Sequence, residues 1–111
     1  MRLVIVLDED YSSQLEKLAF SHPVWLVDTP ANRTAAEQAW HAAIEWPHIT
    51  VTLFRRQDWD TLLEQIAFQE KRPVEAMEII GEPLSDPARN AFLDAGYERF
   101  DETDRGFRAK K

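Results

Sequence analysis

Apolar positions fall into short runs separated by polar, periodic stretches. Leu3-Val4-Ile5-Val6-Leu7 is a continuous aliphatic run that stops at Asp8-Glu9-Asp10. Such a run suits a strand covered on both faces, as in a parallel sheet. Val24-Trp25-Leu26-Val27, ending at Asp28, reads as a second strand, and Ile49–Phe54, with Thr alternating, as a third whose one face meets more solvent.

Helical spacing fills the gaps. Leu15, Leu18 and Ala19 give one short stripe, with Ser12 or Ser13 as cap and Ser13/Glu16 as a capping box. Ala35, Ala36, Ala39, Trp40, Ala43 and Ile44 give a second, stopped by Pro47, with Asn32 as a cap and Thr34/Glu37 as a second capping box. Trp59, Leu62, Leu63, Ile66 and Ala67 give the clearest stripe, after Asp58 as N-cap and before Pro73.

Val74–Ile80 fits a strand or a two-turn helix, and the strand, centred on Met77–Ile80, is favoured because Gly81 and Pro83 punctuate a short run. Asp86 as N-cap and Pro87 at the first position start a helix with Ala88, Ala91, Phe92 and Ala95 buried and Gly96 as left-handed cap. Tyr97–Phe100 is a strand, Asp104-Arg105-Gly106 a turn, and Phe107-Arg108-Ala109 a returning edge strand.

The order β-α-β-α-β-α-β-α-β-β predicts one α/β domain over residues 1–111. It is a three-layer sandwich with a mostly parallel sheet of about five strands and an antiparallel C-terminal edge hairpin. A two-layer α+β sandwich follows instead if Val74–Ile80 is helical and the C-terminal strands pair antiparallel inside the sheet.

Composition narrows the classes. The 111 residues hold 20 acids and 13 bases, a net charge of −7, and no cysteine. Disulfide frameworks, thiolate nucleophiles and cysteine metal sites are excluded. The acids are spread along the chain, net −3 over 1–55 and −4 over 56–111, so there is no separate acidic tail. This charge weighs against nucleic acid and anionic lipid as partners. The opening apolar run is too short for a signal segment or a membrane span, so the expected location is cytoplasmic.

Candidate chemistry gathers where strands end. Asp8 and Asp10 follow the first strand and Asp28 the second, and ligands of open parallel sheets bind at those carboxyl ends. Carboxylates there suit Mg²⁺, and a bound Mg²⁺ serves phosphoryl chemistry. The segment from Asp28 to Thr34 runs from strand to helix, where Asn32 and Arg33 can meet an anion; Arg55 lies on the same edge.

Against these stand plain structural roles. Strands must end in polar residues, and helix starts need caps. The three glycines are late and isolated, so no dinucleotide or Walker loop exists, and the serines lack a nucleophile-elbow context. His22, His41 and His48 show no zinc spacing, and His22 and His48 precede strands, at the edge opposite the carboxylates.

Trp25 and Trp59 belong to the core, and Trp46, at a helix end, is the most exposed tryptophan. With no catalytic constellation standing out, the favoured reading is a non-catalytic protein acting by contact with a protein partner or its own copy, through the uncovered edge hairpin. The alternative is a Mg²⁺- or anion-dependent enzyme or sensor using Asp8, Asp10, Asp28 and Arg55.

Overall fold

The computed structural model describes residues 1–111. The strands are β1 (Arg2–Val6), β2 (Val24–Val27), β3 (Val51–Phe54), β4 (Ala76–Ile80), β5 (Arg99–Glu102) and β6 (Gly106–Lys110). The helices are α1 (Leu15–Ser21), α2 (Pro30–Ala42), α3 (Trp59–Gln69) and α4 (Asp86–Asp94). They form one six-stranded sheet in the order β3-β2-β1-β4-β6-β5. The first four strands in that order are parallel, and β6 and β5 are antiparallel additions. The α/β fold with its C-terminal hairpin at one edge is therefore as the periodicity predicts, with residues 76–80 a strand.

Within that hairpin the order differs from expectation. The last strand is interior, between β4 and β5, and β5 is the outermost strand. Side-chain chemistry explains this, since β6 carries the fully buried Phe107 and Ala109 whereas β5 reads Arg-Phe-Asp-Glu. Gly106 permits the close approach, because a Cβ there would strike the backbone carbonyl of Ile79.

Alternation divides the sheet into two faces. Leu3, Ile5, Trp25, Met77, Ile79 and Phe107 point toward α3 and α4, meeting Trp59, Leu62, Ile66 and Phe92. Phe92 is the hub there, packing edge-on against Tyr97, Phe100 and Phe107 at 5.3–6.3 Å between centroids. Each such pair adds about 0.5–1.5 kcal/mol to the burial itself. Val4, Val6, Val24, Leu26, Val51 and Ile80 point the other way, toward Leu15 and Ala19 of α1 and Ala35, Ala36 and Ala39 of α2. The alanines let α2 lie close to the strands.

On this second face the helices cover only the β3-β2-β1 side. Beyond α1 the sheet surface is charged. Arg108 pairs with Glu78 on the neighbouring strand, and Arg2 reaches the same carboxylate, at 2.7 and 2.9 Å. Arg99, Asp101 and Lys110 continue that exposed surface.

Several caps fall one or two residues from where spacing puts them. α1 starts after Gln14 with no side-chain cap, because Ser12 bonds Asp10 instead of a helix amide. Thr29 caps α2 and Pro30 is its first residue, so Asn32 lies inside the helix. Ser85, not Asp86, caps α4, and Asp58 holds its N-cap position without a side-chain bond. α2 ends at Ala42, short of Pro47, which leaves Ile44 outside the helix and in solvent; Ala95 is also exposed. No helix is long and apolar enough to cross a membrane.

Candidate functional site

The parallel strand order reverses between β1 and β4, so the crevice that open α/β sheets offer to ligands opens at the carboxyl ends of those two strands. A shallow groove of about 690 Å³ lies there, with Asp8, Tyr11, Glu82, Glu102, Asp104 and Arg105 on its walls. Gly81, at φ +107°, lets the end of β4 pass the end of β1; a Cβ there would sit 2.7 Å from an Asp8 carboxylate oxygen.

Its positive charges are already engaged. Arg105 donates to the Tyr11 hydroxyl at 3.0 Å and to Gln14 at 3.1 Å. Arg56 forks onto Glu82 at 2.8 and 3.0 Å and lies over the Trp59 ring. Of the groove's carboxylates Glu82 is thus paired, whereas Asp8, Glu102 and Asp104 make no side-chain hydrogen bond or ion pair.

The predicted ligand residues are dispersed over this edge. Of the three aspartates, only Asp8 lines the groove. Asp10 accepts from the backbone N–H and hydroxyl of Ser12, a local turn. Asp28 takes a two-pronged contact from Arg33, at 3.2 Å to Nε and 2.7 Å to Nη2. That hydrogen bond, with the charges of Arg33 and Arg55, holds the Asp28 carboxyl below the usual carboxylate range, and the same pairing raises Arg33. Arg55 therefore acts on Asp28 through its field. Nowhere do three His, Asp or Glu side chains converge as a metal would require.

Asn32 is fully buried, the one amide side chain among buried residues that include no charged group. Its Oδ1 accepts from the Tyr11 N–H at 2.8 Å, and its Nδ2 donates to the carbonyls of Asp8 and Val27 at 2.6 and 3.1 Å. All its contacts are to backbone, and they fasten the β1–α1 loop to the β2–α2 junction. Thr29 adds a second tie, donating to the Glu9 carbonyl at 2.6 Å while capping Asn32 N. At the start of α2, Pro30 has no N–H, and those of Asn32 and Arg33 already reach Thr29. Little of that helix end is left to meet an anion.

At the opposite edge of the sheet lies a feature the spacing missed. Phe20 at the end of α1 stacks edge-on with Trp46 and His48 of the α2–β3 connection, at 5.6 and 4.7 Å, and the His48 ring nitrogen lies 3.1 Å from the Phe20 carbonyl. Phe20 is 49% exposed, Trp46 47% and Ile44 78%. Trp46 is the most exposed tryptophan, as its place at the helix end suggests; Trp40 follows at 43%. Phe20 lies about 140° around the helix from Leu15, off the buried stripe, which is the signal available in the sequence.

A groove of about 520 Å³ between α1 and α2, with Glu16, Glu37 and His41 on its walls, runs along the same helices toward this aromatic end. Glu16 is one turn from Phe20 on α1. No family model, curated protein or solved structure matches the chain.

Proposed function

We propose that this small single domain is a non-catalytic interaction module, and that its contact face is the aromatic end formed by Phe20, Ile44, Trp46 and His48. The observation that supports this is the stack of exposed rings that Phe20, at the end of α1, makes with Trp46 and His48 of the α2–β3 connection, with exposed Ile44 two residues before Trp46. The arginines Arg33, Arg56 and Arg105 at the carboxyl edge, by contrast, are already bonded to neighbouring side chains. Stacked aromatics are already ordered, so little side-chain entropy is lost when a partner covers them.

The surroundings favour one partner chemistry. Glu16 and Glu37 line the adjoining groove, and the whole chain carries −7. A protein segment with basic side chains next to an apolar anchor complements both.

A photo-crosslinking residue at Ile44, in the full chain expressed in its native cells, tests this. The expected result is a discrete protein adduct that Trp46→Ser abolishes without changing the thermal melt. An adduct of two copies of the chain would move the face from a foreign partner to self-contact. No adduct, or one indifferent to Trp46→Ser, overturns the reading.

A further inference from the structure

The two edges of the sheet differ. Along β3, Thr50 and Phe54 turn their carbonyls toward β2, so Val51 faces outward, and the Trp40 indole N–H caps its carbonyl at 2.8 Å. Along β5 nothing caps the edge. Thr103 donates inward to Gly106, so Asp101 and Arg99, two and four residues back, bond toward β6. Alternation then leaves the N–H and C=O of Phe100 and Glu102 facing outward.

We propose that two copies of this chain pair through β5, antiparallel, about a two-fold axis at Phe100, joining their sheets into one of twelve strands. Side chains opposite one another across such an axis must share a face, so the axis passes through a residue. The four residues of the strand offer four positions, and an axis at Glu102 sets glutamate against glutamate at the end of the strand. An axis at Arg99 sets arginine against arginine, and one at Asp101 sets aspartate against aspartate. The axis at Phe100 sets Arg99 of each copy opposite Asp101 of the other, twice, on the face no helix covers.

Backbone geometry agrees with that register. Phe100 of the two copies becomes a hydrogen-bonded pair, using the groups that face outward. Arg99 and Asp101 fall in the closer, non-hydrogen-bonded positions, where side chains meet best. Neither residue has an ion-pair partner within its own chain. On the other face the two Phe100 rings meet beside their own Phe92, with Arg89 over each ring at 5.1 Å. Glu98 turns its own N–H inward to the Lys110 carbonyl, which Arg99 also faces, so the pairing ends there and is limited to a short strand.

The pairing uses residues remote from the aromatic end, so it stands or falls separately from the interaction reading above. Sedimentation equilibrium of the full chain over a concentration series tests it. The wild type is expected to show a monomer–dimer equilibrium. Arg99→Asp alone, or Asp101→Arg alone, places like charges across both pairs and is expected to weaken the dimer about ten-fold. The double variant Arg99→Asp/Asp101→Arg recreates both pairs in reverse and is expected to restore it. A strictly monomeric wild type, a dimer indifferent to the single changes, failure of the double variant to rescue, or a dimer abolished by Trp46→Ser would each overturn the proposal.

Discussion

The side-chain amide of Asn32 donates to the backbone carbonyl of Asp8 at 2.6 Å, joining a residue inside α2 to the loop that follows β1. The bond crosses the carboxyl edge of the sheet and, with Tyr11 and Val27, makes one buried polar knot from three separate segments. Buried groups in such a knot stabilise only while every member is paired.

Asn32→Ala would strand the Tyr11 N–H and the Asp8 and Val27 carbonyls. Each unmet buried group costs about 1–3 kcal/mol, and partial relaxation brings the expected total to about 3 kcal/mol. Asn32→Asp keeps the acceptor for Tyr11 but presents a carboxylate to two carbonyls. Its deficit should shrink as pH falls and the acid becomes a donor. Urea unfolding at pH 7 and pH 4 checks both; a loss under 1 kcal/mol for the alanine variant would show that the loops hold without the knot.

Asn32 also shows what sequence reading reaches and where it stops. Its residue type and place before a helical stripe suggested a cap or an anion contact. Its actual partners come from the β1–α1 loop, over twenty residues away for Asp8 and Tyr11, and no local rule carries that. Strands β1 to β4 were legible because β-branched runs ended at acids or turn residues. The edge position of β5 was not, because it depends on which strand β4 accepts as neighbour. Ile44 was misplaced for a related reason. Apolar spacing continued past Ala42, but the helix did not, and the residue was left in solvent. At the carboxyl edge, proximity of Asp28 to Arg33 and Arg55 was legible from strand ends; the separation of Asp8, Asp10 and Asp28 was not.

Two glycines should respond differently to alanine. At Gly106 a Cβ would press on the carbonyls of Ile79 and Glu82, both backbone atoms of the neighbouring strand and its turn. The strands would have to part, and a loss of about 2–4 kcal/mol is expected. At Gly96, φ is +98° but the nearest atom is the Lys111 Cε at 3.8 Å. There only backbone strain counts, about 1–2 kcal/mol. Denaturant midpoints rank the two, and a Gly96→Ala loss equal to that of Gly106→Ala would contradict the packing argument.

Glu78 is the shared anion of the open sheet face. Burial pushes its carboxyl up, but the hydrogen bond and charge of Arg108, then those of Arg2, outweigh this and hold it below its usual value. A folded-state value below the unfolded one means the native chain stays ionised while the unfolded chain takes a proton. The stabilisation is therefore present above the ordinary carboxyl range and lost as pH falls through the depressed value. Glu78→Gln should cost about 0.5–1 kcal/mol at pH 7, the modest size reflecting exposed arginine partners. In urea titrations the gap between wild type and variant should close as pH falls from 7 through that depressed value. A gap that stays constant across the acid range would assign the effect to packing instead.

Tyr97 governs the alkaline side. Its ring packs against Phe92, Lys111 Nζ lies over it at 5.1 Å, and its hydroxyl donates to the Val74 carbonyl at 2.9 Å. Burial pushes this phenol up to about 12. In the unfolded chain it ionises near its ordinary value of about 10. Between those values the unfolded state has lost the proton and the native state has kept it, so stability falls as pH rises. Tyr97→Phe removes that slope. Below pH 10 it should cost about 1 kcal/mol for the missing hydrogen bond, and above it the variant should close the gap on the wild type. Unfolding curves from pH 9 to 11.5, with the phenolate difference spectrum between the two proteins, measure both effects. Parallel pH profiles would mean that Tyr97 ionises alike in the two states and that its burial does not restrain the proton.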